Sequence, residues 1–434
     1  TGMIRTFSSH PWRCIHRLLL MALFLACLAP CAGAVDRFPR PEFEGSYVLP
    51  ASQNPLPCAN IWAYVDVLLL VAALAAASYF ALRQRSRAGM IAITCFSVAY
   101  FGWWRRGCVC AVGSLQNVSL ALFDKSYAIP ITVLLFFLLP LIFAAFFGRV
   151  FCAAVCPLGA VQELLVIKPV RVPNWLSKAL GLGPYLYLGL AVLLAATGAG
   201  FVVCQFDPFV ALFRLGGHAE IWLLSLCIIV LGFFVARPYC RFVCPYGVIL
   251  NWFSRLAKWH LAITPDTCIQ CRLCESACPY GAIMAPTEAR ATEPRSVELR
   301  RLTSLLLLIP VLIVVGGWCG AQAAPVLSRA HATVQLARQL AEEERNPATP
   351  MTLQSETFRA SGTALTSVYA DADNVVRSMR RGGWLLGGFM GAAVGVTLVR
   401  LAVRRRRHDY EPDRRMCVSC GRCFAYCPME HARR

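Results

Sequence analysis

The sequence predicts an all-α polytopic membrane protein with about seven transmembrane helices and a small, split α+β module on the cytoplasmic side. Three observations predict this fold class. The 434 residues are 58% hydrophobic and only 15% charged, with a mean hydropathy of +0.57, whereas soluble domains carry about a quarter charged residues. The apolar residues lie in long blocks, close to the ~20 residues that cross a bilayer. Two distant cysteine runs share one spacing, which indicates two halves of one module.

Residues 1–34 have the composition of a signal peptide. Basic residues precede an apolar block, and Ala32-Gly33-Ala34 follows it, an order of segments that is typical of signal peptides. An uncleaved N-terminal anchor is the alternative, and it predicts the same topology. Residues 35–60, which are rich in proline, are then expected to be extracytoplasmic.

Seven apolar stretches predict the spans: 61–82, 89–104, 129–147, 185–203, 221–236, 302–318 and 384–403. With residues 35–60 outside, alternate loops fall in the cytoplasm: 83–88, 148–184, 237–301 and 404–434. Those loops hold 25 Lys and Arg against 13 in the outer segments. Seven of the 13 lie in one long loop, a kind of loop that weighs little in the positive-inside rule. We therefore expect a multi-pass protein of the cytoplasmic (inner) membrane.

This topology divides the chain into a five-helix membrane domain and a later hairpin. The domain covers residues 61–260, and the hairpin covers 302–403 with an extracytoplasmic loop at 319–383. An amphipathic pattern from Val334 onward predicts that this loop is helical.

The formal charge of +19 raises the question of a nucleic-acid partner. No basic stripe interleaved with aromatics is present, and the basic residues cluster beside apolar blocks. The expected partner is therefore membrane lipid, with no nucleic acid. The sequence also has no C-x-x-C-H, GxGxxG or Walker motif and no Ser/His/Asp signature. We expect no catalytic residues, and an electron-transfer subunit rather than a stand-alone catalyst.

The cysteine runs read C-x2-C-x2-C-x3-C-P, which is the bacterial-ferredoxin pattern for a [4Fe–4S] cluster. A structural zinc site needs only two C-x2-C pairs or a Cys/His mixture. The first run lies in residues 261–290 and the second in 404–434. Two [4Fe–4S] clusters are therefore predicted on eight cysteines: Cys268, Cys271, Cys274 and Cys278, then Cys417, Cys420, Cys423 and Cys427.

The ligands are expected to cross between the runs. In two-cluster ferredoxins the fourth cysteine of each run binds the other cluster. Our hypothesis is one split ferredoxin in which Cys427 joins the first three cysteines of the first run. Cys278 would join the first three cysteines of the second run, with the membrane hairpin inserted between the halves.

A repeated segment adds four more cysteines on the cytoplasmic side. Residues 148–159 and 236–247 share R-x-[FY]-C-x-x-V-C-P-x-G, and paired repeats in membrane folds place sites at their interface. We name these cysteines the inner quartet: Cys152, Cys156, Cys240 and Cys244. They are the candidates for a third cysteine-ligated centre, with packing as small apolar residues as the alternative. An amphipathic interfacial helix is expected after each motif.

A weaker pattern places cysteines on the outer face. Residues 107–116 resemble the tail of the first repeat, and Cys204 holds the matching place after the next span. The candidate metal ligands there are Cys108, Cys110 and Cys204. A disulfide or simple packing are the alternatives.

The combination of C-x3-C-P segments with two ferredoxin runs resembles the NosR/NapH-type membrane polyferredoxins, over roughly residues 60–285 and 384–430. The resemblance implies that both motif types face the cytoplasm and that the inner quartet and the eight run cysteines are redox residues. It also implies electron flow from quinol or a cytoplasmic donor toward extracytoplasmic reductases or their maturation. The long flavin-binding domain of NosR is not expected, since only residues 35–60 precede the first span outside.

A covalent flavin is not expected either. The segment beginning at Ser361 reads S-G-T-A where the NosR motif reads S-G-A-T, which leaves Thr363 and Thr366 as weak candidates.

These observations predict an iron–sulfur relay between a quinol or cytoplasmic donor and an extracytoplasmic reductase, cupredoxin or metalloenzyme. Two alternatives remain open. One is a maturation factor similar to the CcoG-type proteins, in which the outer cysteines bind or reduce copper. The other is an iron–sulfur redox sensor.

Overall fold

The computed structural model describes residues 61–107, 109–125, 127–170, 172–263, 268–287, 294–346, 350–403, 407 and 409–429. The predicted signal segment, the extracytoplasmic segment 35–60 and Cys108 lie outside the described residues. Within the described part of the chain the structure is mostly helical, with one two-stranded sheet.

The first half of the described chain contains twelve helices and two π-helical segments. The helices are α1 (Ile61–Leu82), α2 (Arg87–Ser97), α3 (Ala111–Phe123), α4 (Ile131–Phe147), α5 (Pro157–Leu165), α6 (Asn174–Leu180), α7 (Gly183–Ala196), α8 (Val202–Gln205), α9 (Pro208–Arg214), α10 (Ala219–Phe234), α11 (Pro238–Phe242) and α12 (Pro245–Ser254). The π-helical segments are Val98–Trp104, which continues α2, and Phe151–Val155.

The second half contains the two ferredoxin-type runs and the hairpin between them. Its elements are α13 (Leu273–Ala277), β1 (Ile283–Met284), α14 (Arg295–Gln322), α15 (Ala324–Leu327), the 3-10 turn Ser328–Ala330, α16 (Ala332–Arg345), α17 (Leu353–Ala360), α18 (Leu365–Ala402), β2 (Glu411–Pro412) and α19 (Arg422–Ala425).

Each of the seven predicted apolar stretches is largely helical. Four helices are long and apolar enough to cross a membrane: Ile61–Leu82, Trp175–Ala196, Ser296–Gln322 and Leu365–Ala402. A fifth span results if α9 and α10, which meet at 102°, form one broken span. The helices α3 and α4 are apolar but shorter. A helical membrane protein with four or five candidate spans is therefore what the described residues contain.

The predicted helical loop lies between α14 and α18. Helix α16 begins two residues before Val334, and its apolar side packs on the first turns of α18. Val334 and Leu340 contribute from α16, and Val368 and Ala372 from α18. The amphipathic pattern read from the sequence therefore corresponds to a real packing face.

The buried core is centred on the first C-x3-C-P segment. Every residue from 150 to 163 is buried, including the π-helical turn and most of α5. The turn packs against α1 and α2. The prediction of an interfacial helix after this motif is therefore wrong, because residues 157–163 of α5 are buried among residues of the membrane domain and of the two cysteine runs. After the second motif, Trp252 is exposed, and the interfacial helix there stays a prediction.

Helices α14 and α18 pack through glycines at close range. A Cβ placed on Gly387 would overlap the carbonyl oxygen of Gly316, and one on Gly320 would overlap the carbonyl oxygen of Gly383. Small residues allow such close approach of helices in membranes, where packing rather than the hydrophobic effect drives association.

Replacing Gly387 by alanine should therefore push the hairpin apart and destabilise it by about 1–3 kcal/mol, the usual cost of overpacking. Gly232→Ala in α10 is the matched control, because no atom lies within 4 Å of a Cβ at that position. The measurement is the free energy of unfolding in detergent. Equal stabilities of the two variants would show that the glycine contact is unimportant.

Candidate iron–sulfur site

The two cysteine runs form one module although a membrane hairpin separates them in sequence. Strands β1 and β2 pair antiparallel, with Ile283 opposite Pro412 and Met284 opposite Glu411. The pairing continues in the bond from the Asp413 backbone N–H to the Ala282 carbonyl, at 2.7 Å. The short helices α13 and α19, one from each run, pack against each other. The fold therefore contains the split α+β module that the sequence predicts.

The eight cysteines surround two cavities in crossed sets. The first-run cavity is lined by Cys268, Cys271, Cys274 and Cys427. The second-run cavity is lined by Cys278, Cys417, Cys420 and Cys423. The two cavities are of equal size. In the described residues no three Cys, His, Asp or Glu side chains converge closely enough to hold a single metal ion.

The backbone turns in the same way within both runs. In the first run Gln270 and Arg272 have positive φ values of 51° and 62°, and in the second Ser419 and Gly421 have 56° and 79°. These equivalent positions flank the second cysteine of each run. Left-handed residues bend the chain tightly enough for successive cysteines to face one cavity.

Backbone N–H groups point at the sulfurs. The Ser419 N–H donates to Cys417 Sγ and the Ala282 N–H donates to Cys278 Sγ, both at 3.4 Å. Such bonds stabilise negative charge on cluster sulfurs and tune their potentials. The residues present therefore fit [4Fe–4S] clusters, with four thiols and inward-facing N–H groups at the second cavity.

Burial keeps the metal-free thiols protonated. It raises the pKa of Cys274 to about 11 and that of Cys417 to about 12. Thiols bind metal as thiolates, so cluster insertion must displace these protons.

The inner quartet is positioned by two short helical turns that end at proline. Cys152 lies in the π-helical turn and Cys156 precedes Pro157, the first residue of α5. Cys240 lies in α11 and Cys244 precedes Pro245, the first residue of α12. Proline is favoured at a first helical position because its missing N–H has no partner there. Each motif therefore presents both its cysteines at a helix junction.

The two motifs meet through contacts at their cysteines. Gln162 Nε2 donates to Cys240 Sγ at 3.3 Å, and Arg149 Nη2 lies 3.7 Å from Cys152 Sγ. A Cβ on Gly159 would lie 2.9 Å from the Cys152 carbonyl oxygen and 3.8 Å from Cys240 Sγ. Burial, followed by the nearby thiols of Cys240, Cys152 and Cys244, raises the pKa of Cys156. The structure thus brings the quartet together.

A buried carboxylate, Glu163 of α5, joins the ferredoxin module to the membrane domain. Its Oε1 pairs with Arg87 at 2.5 Å and with Arg422 at 2.9 Å, and its Oε2 pairs with Arg237 at 3.0 Å. The Tyr280 hydroxyl donates to Oε2. We call this group the Glu163 hub. Arg422 and Tyr280 come from the two ferredoxin runs, whereas Arg237 opens the second C-x3-C-P motif.

The hub lies between the second-run cysteines and the inner quartet. Arg87 donates to the Cys420 carbonyl at 2.6 Å, and Arg237 donates to the carbonyls of Cys152 and Ala153. Burial acts to raise the pKa of Glu163, but Arg237, Arg422 and Arg87 outweigh it and lower the pKa. The carboxylate is therefore charged at neutral pH, and the hub has a net charge of about +2, three guanidinium groups against one carboxylate.

On the other side of the quartet, Cys110 and Cys204 lie beside Gly113. A Cβ on Gly113 would lie 3.4 Å from Cys204 Sγ and 4.0 Å from Cys110 Cβ. Gln116 Oε1 accepts a bond from the Val203 N–H at 3.2 Å and fixes α3 against α8. The structure therefore brings together two of the three predicted outer cysteines, which we call the outer pair.

Aromatic rings connect the inner quartet with the outer segment. Tyr239, next to Cys240, contacts Phe209 with ring centroids 5.5 Å apart. Phe209 contacts Phe213 at 6.5 Å, and Phe213 contacts Trp103 at 6.1 Å. Trp103 lies in the π-helical segment that precedes the outer cysteines. The row of rings therefore runs from the neighbour of Cys240 to the helical segment that precedes the outer cysteines.

Sequence reasoning did not identify Glu163, Arg237 or Tyr280 as functional. One signal was available, because Arg149 and Arg237 occupy the same position of the repeated motif. Both contact the quartet segment. A glutamate among apolar residues in α5 was the other signal, since an unpaired charge is rarely buried.

Comparisons with known proteins agree with the cysteine geometry. A family described as 4Fe-4S binding domain matches residues 129–183 and 219–264, which contain the inner quartet. A second family with the same description matches residues 261–284, the first ferredoxin run. No solved structure matches the chain.

Several curated proteins are similar to parts of the chain. NosR of Pseudomonas aeruginosa, a regulatory protein, is 30% identical over 233 residues, 49% of this chain and 32% of NosR. NirI of Paracoccus denitrificans is 29% identical over 218 residues, 46% of this chain and 31% of NirI. The methylamine utilization ferredoxin-type protein MauN of the same organism is 28% identical over 152 residues, 32% of this chain and 51% of MauN. The chain thus spans between about a third and about half of these relatives.

The matched domains and the cysteine sites indicate iron–sulfur clusters in a chain whose apolar helices are long enough to cross a membrane, and they support a role in electron transfer. Together with the similarity to NosR, NirI and MauN, they support a place for the chain among the NosR/NapH-type membrane ferredoxins.

Proposed function

We propose that this protein relays electrons across the cytoplasmic membrane, between a quinol or cytoplasmic donor and an extracytoplasmic reductase or cupredoxin. The proposal includes seven spans, with the ferredoxin module facing the cytoplasm. The observation that carries it is the Glu163 hub, which holds the ferredoxin module directly against the inner quartet. Because one ion-pair network contacts both the second-run cysteines and the inner quartet, redox centres at these two sites would be close enough to exchange electrons.

The route follows the order of the sites. The two run cavities would hold [4Fe–4S] clusters, the hub adjoins the second, and the inner quartet would hold a third cysteine-ligated centre. Aromatic rings then lead to the outer pair. Bound clusters supply one-electron carriers, so the two electrons of a quinol leave one at a time and its two protons are released to solvent. The hub's net positive charge favours electron arrival beside it.

Replacing Cys240 and Cys244 by serine tests this route. The variant should retain the iron of both ferredoxin clusters but lose their equilibration with quinol, because the quartet lies between the ferredoxin and the membrane path. The measurement is the anaerobic reduction of the clusters by a quinol analogue, followed optically. Cys227→Ser, an exposed cysteine in α10, is the control. Unchanged quinol-linked reduction in the double variant would contradict the proposal.

A second candidate is a maturation factor that reduces a metal ion for an extracytoplasmic metalloenzyme. The outer pair favours it, because two adjacent thiols suit Cu(I), which prefers soft ligands. Each Cu(II) ion would accept one electron from the relay and become Cu(I). Cys110→Ser with Cys204→Ser should then abolish Cu(I) binding while quinol-linked reduction of the clusters persists. Undiminished Cu(I) binding in that variant would exclude this candidate.

A further inference from the structure

A large basic cavity lies where the inner quartet, the ferredoxin module and α18 meet. Its volume is about 290 Å³, compared with about 20 Å³ for each run cavity. Cys240 and Cys244 line it, but so do residues of α7 and α18 that belong to neither cysteine motif. The cavity is therefore larger than a centre on the quartet requires.

The lining is strongly cationic. Six basic side chains line the cavity, and Asp413 is the one carboxylate among its described lining residues. The basic residues are Arg149, Lys178, Arg237, Arg241, Arg400 and Arg415.

Part of this charge forms no direct ion pair within the described residues. Arg237 pairs with Glu163, and Arg241 donates to Ser177 Oγ at 3.0 Å. Among the described residues, no ion pair or side-chain hydrogen bond involves the charged groups of Lys178, Arg400 or Arg415.

Polar atoms beside the cavity are also unpaired. Arg149 Nε and Asn251 Oδ1 are buried without a hydrogen-bond partner among the described residues. Arg255 is not one of the lining residues, but its Nε and Nη2 atoms are likewise buried without a hydrogen-bond partner among the described residues. Burial, followed by the charges of Arg400 and Arg415, lowers the pKa of Arg255. The unused N–H donors of Arg149 and Arg255 and the concentrated positive charge are suited to binding an anion.

The surroundings place the cavity at a membrane boundary. Tyr185, which lines it, contacts Trp252 at 6.5 Å and Phe389 at 6.1 Å. Trp and Tyr concentrate at the headgroup level of membranes. Arg400 lies in the last turn of α18, which is a candidate span, and Tyr185 lies in α7, within the candidate span Trp175–Ala196.

We propose that this basic cavity binds a phosphate group, supplied by an anionic phospholipid headgroup or by a soluble phosphate compound. Phosphate accepts several charge-assisted hydrogen bonds from arginine and lysine, which matches the unused donors. The aromatic trio and the two spanning helices favour the lipid. A bound phosphate would lie beside both the inner quartet and Met416 and Val418 of the second run. Phosphate binding in this basic cavity does not require that the protein transfers electrons.

The test compares two charge-removing variants of the full-length, cluster-loaded protein. K178Q/R400Q removes two charges from the cavity without touching the ferredoxin runs. R300Q/R301Q removes two exposed charges from α14 and is the matched control. Binding of phosphatidylglycerol and phosphatidylcholine is measured by native mass spectrometry, and binding of inorganic phosphate by calorimetry. Iron content verifies that each variant is folded.

For a lipid site, phosphatidylglycerol should bind wild type and control more tightly than phosphatidylcholine does, and K178Q/R400Q should weaken it about tenfold. If the ligand is a soluble compound, inorganic phosphate should bind K178Q/R400Q about tenfold more weakly than it binds the wild type. The protein should then bind phosphatidylglycerol and phosphatidylcholine equally well. Arg400→Lys keeps the charge and should retain binding in either case. If no probe distinguishes K178Q/R400Q from R300Q/R301Q, the proposal is overturned.

Discussion

Replacing Glu163 by glutamine should loosen the second cysteine run from the membrane domain and destabilise the protein by about 3–5 kcal/mol, the usual effect of breaking a buried ion pair. Glutamine fills the same space but leaves Arg87, Arg237 and Arg422 without a counter-charge. Arg237 is the most affected, because its side chain is only 1% exposed. The repulsion among one buried and two partly buried guanidinium groups should act directly on the segment that holds Arg422.

Hydrogen exchange of the amides in residues 417–427 measures this effect locally, alongside the free energy of unfolding. Exchange there should become faster in E163Q, and E163D should restore most of the protection. The control is Glu343→Gln in the outer helices, where the carboxylate has one charged partner, Arg359. Unchanged exchange in the second run would show that the hub does not hold the ferredoxin module.

The same hub predicts how stability depends on pH. Its arginines lower the pKa of Glu163 in the folded protein relative to the unfolded chain, whose glutamates titrate at about 4.3. The stabilisation is therefore complete above about pH 4.3 and is lost as the pH falls toward the lower folded value. Wild type should lose stability on acidification more steeply than E163Q. Parallel acid profiles would contradict this linkage.

Replacing Cys427 by serine should remove the cluster of the first run, although Cys427 belongs to the second. Cys427 lines the cavity formed by Cys268, Cys271 and Cys274. Cys278→Ser should likewise remove the cluster of the second run. Each single variant should lose about four irons, since each cavity is expected to hold one [4Fe–4S] cluster.

Double variants separate crossed from uncrossed ligation by iron content alone. C271S/C427S should lose no more iron than either single variant, because both cysteines serve one cavity. C420S/C427S should lose about eight irons, because its cysteines serve two. If C420S/C427S lost only about four irons, each run would hold its own cluster and the crossed assignment would fall.

The crossed arrangement could be predicted because it follows from local spacing. A C-x2-C-x2-C turn holds three ligands on one side, and the fourth cysteine comes after a helix that points it away. Around each cavity the structure places the four cysteines that the crossed assignment predicts for that cluster. The register that joins the halves, Ile283 opposite Pro412, could not be read from the sequence, since two-residue strands have no periodicity.

The hub could not be predicted because its members are far apart in sequence. Glu163 reads as the polar side of an interfacial helix, and α5 has the amphipathic pattern for that role. Its burial depends on Arg87, Arg237 and Arg422, which three other segments supply. The sequence can single out a glutamate among apolar residues, but it does not show which distant arginines will pair with that carboxylate. The broken helix at α9 and α10 escaped prediction for a similar reason, because tertiary packing determines where an apolar stretch bends.

The proposed electron relay requires iron bound at the inner quartet as well as in the ferredoxin module. Iron and acid-labile sulfide should be counted in anaerobically purified wild type and in C152S/C156S/C240S/C244S. Wild type should contain clearly more than about eight irons per chain, and the quadruple variant about eight, the content of two [4Fe–4S] clusters. If both proteins contained about eight or fewer, the quartet would hold no centre and the relay would end at the ferredoxin.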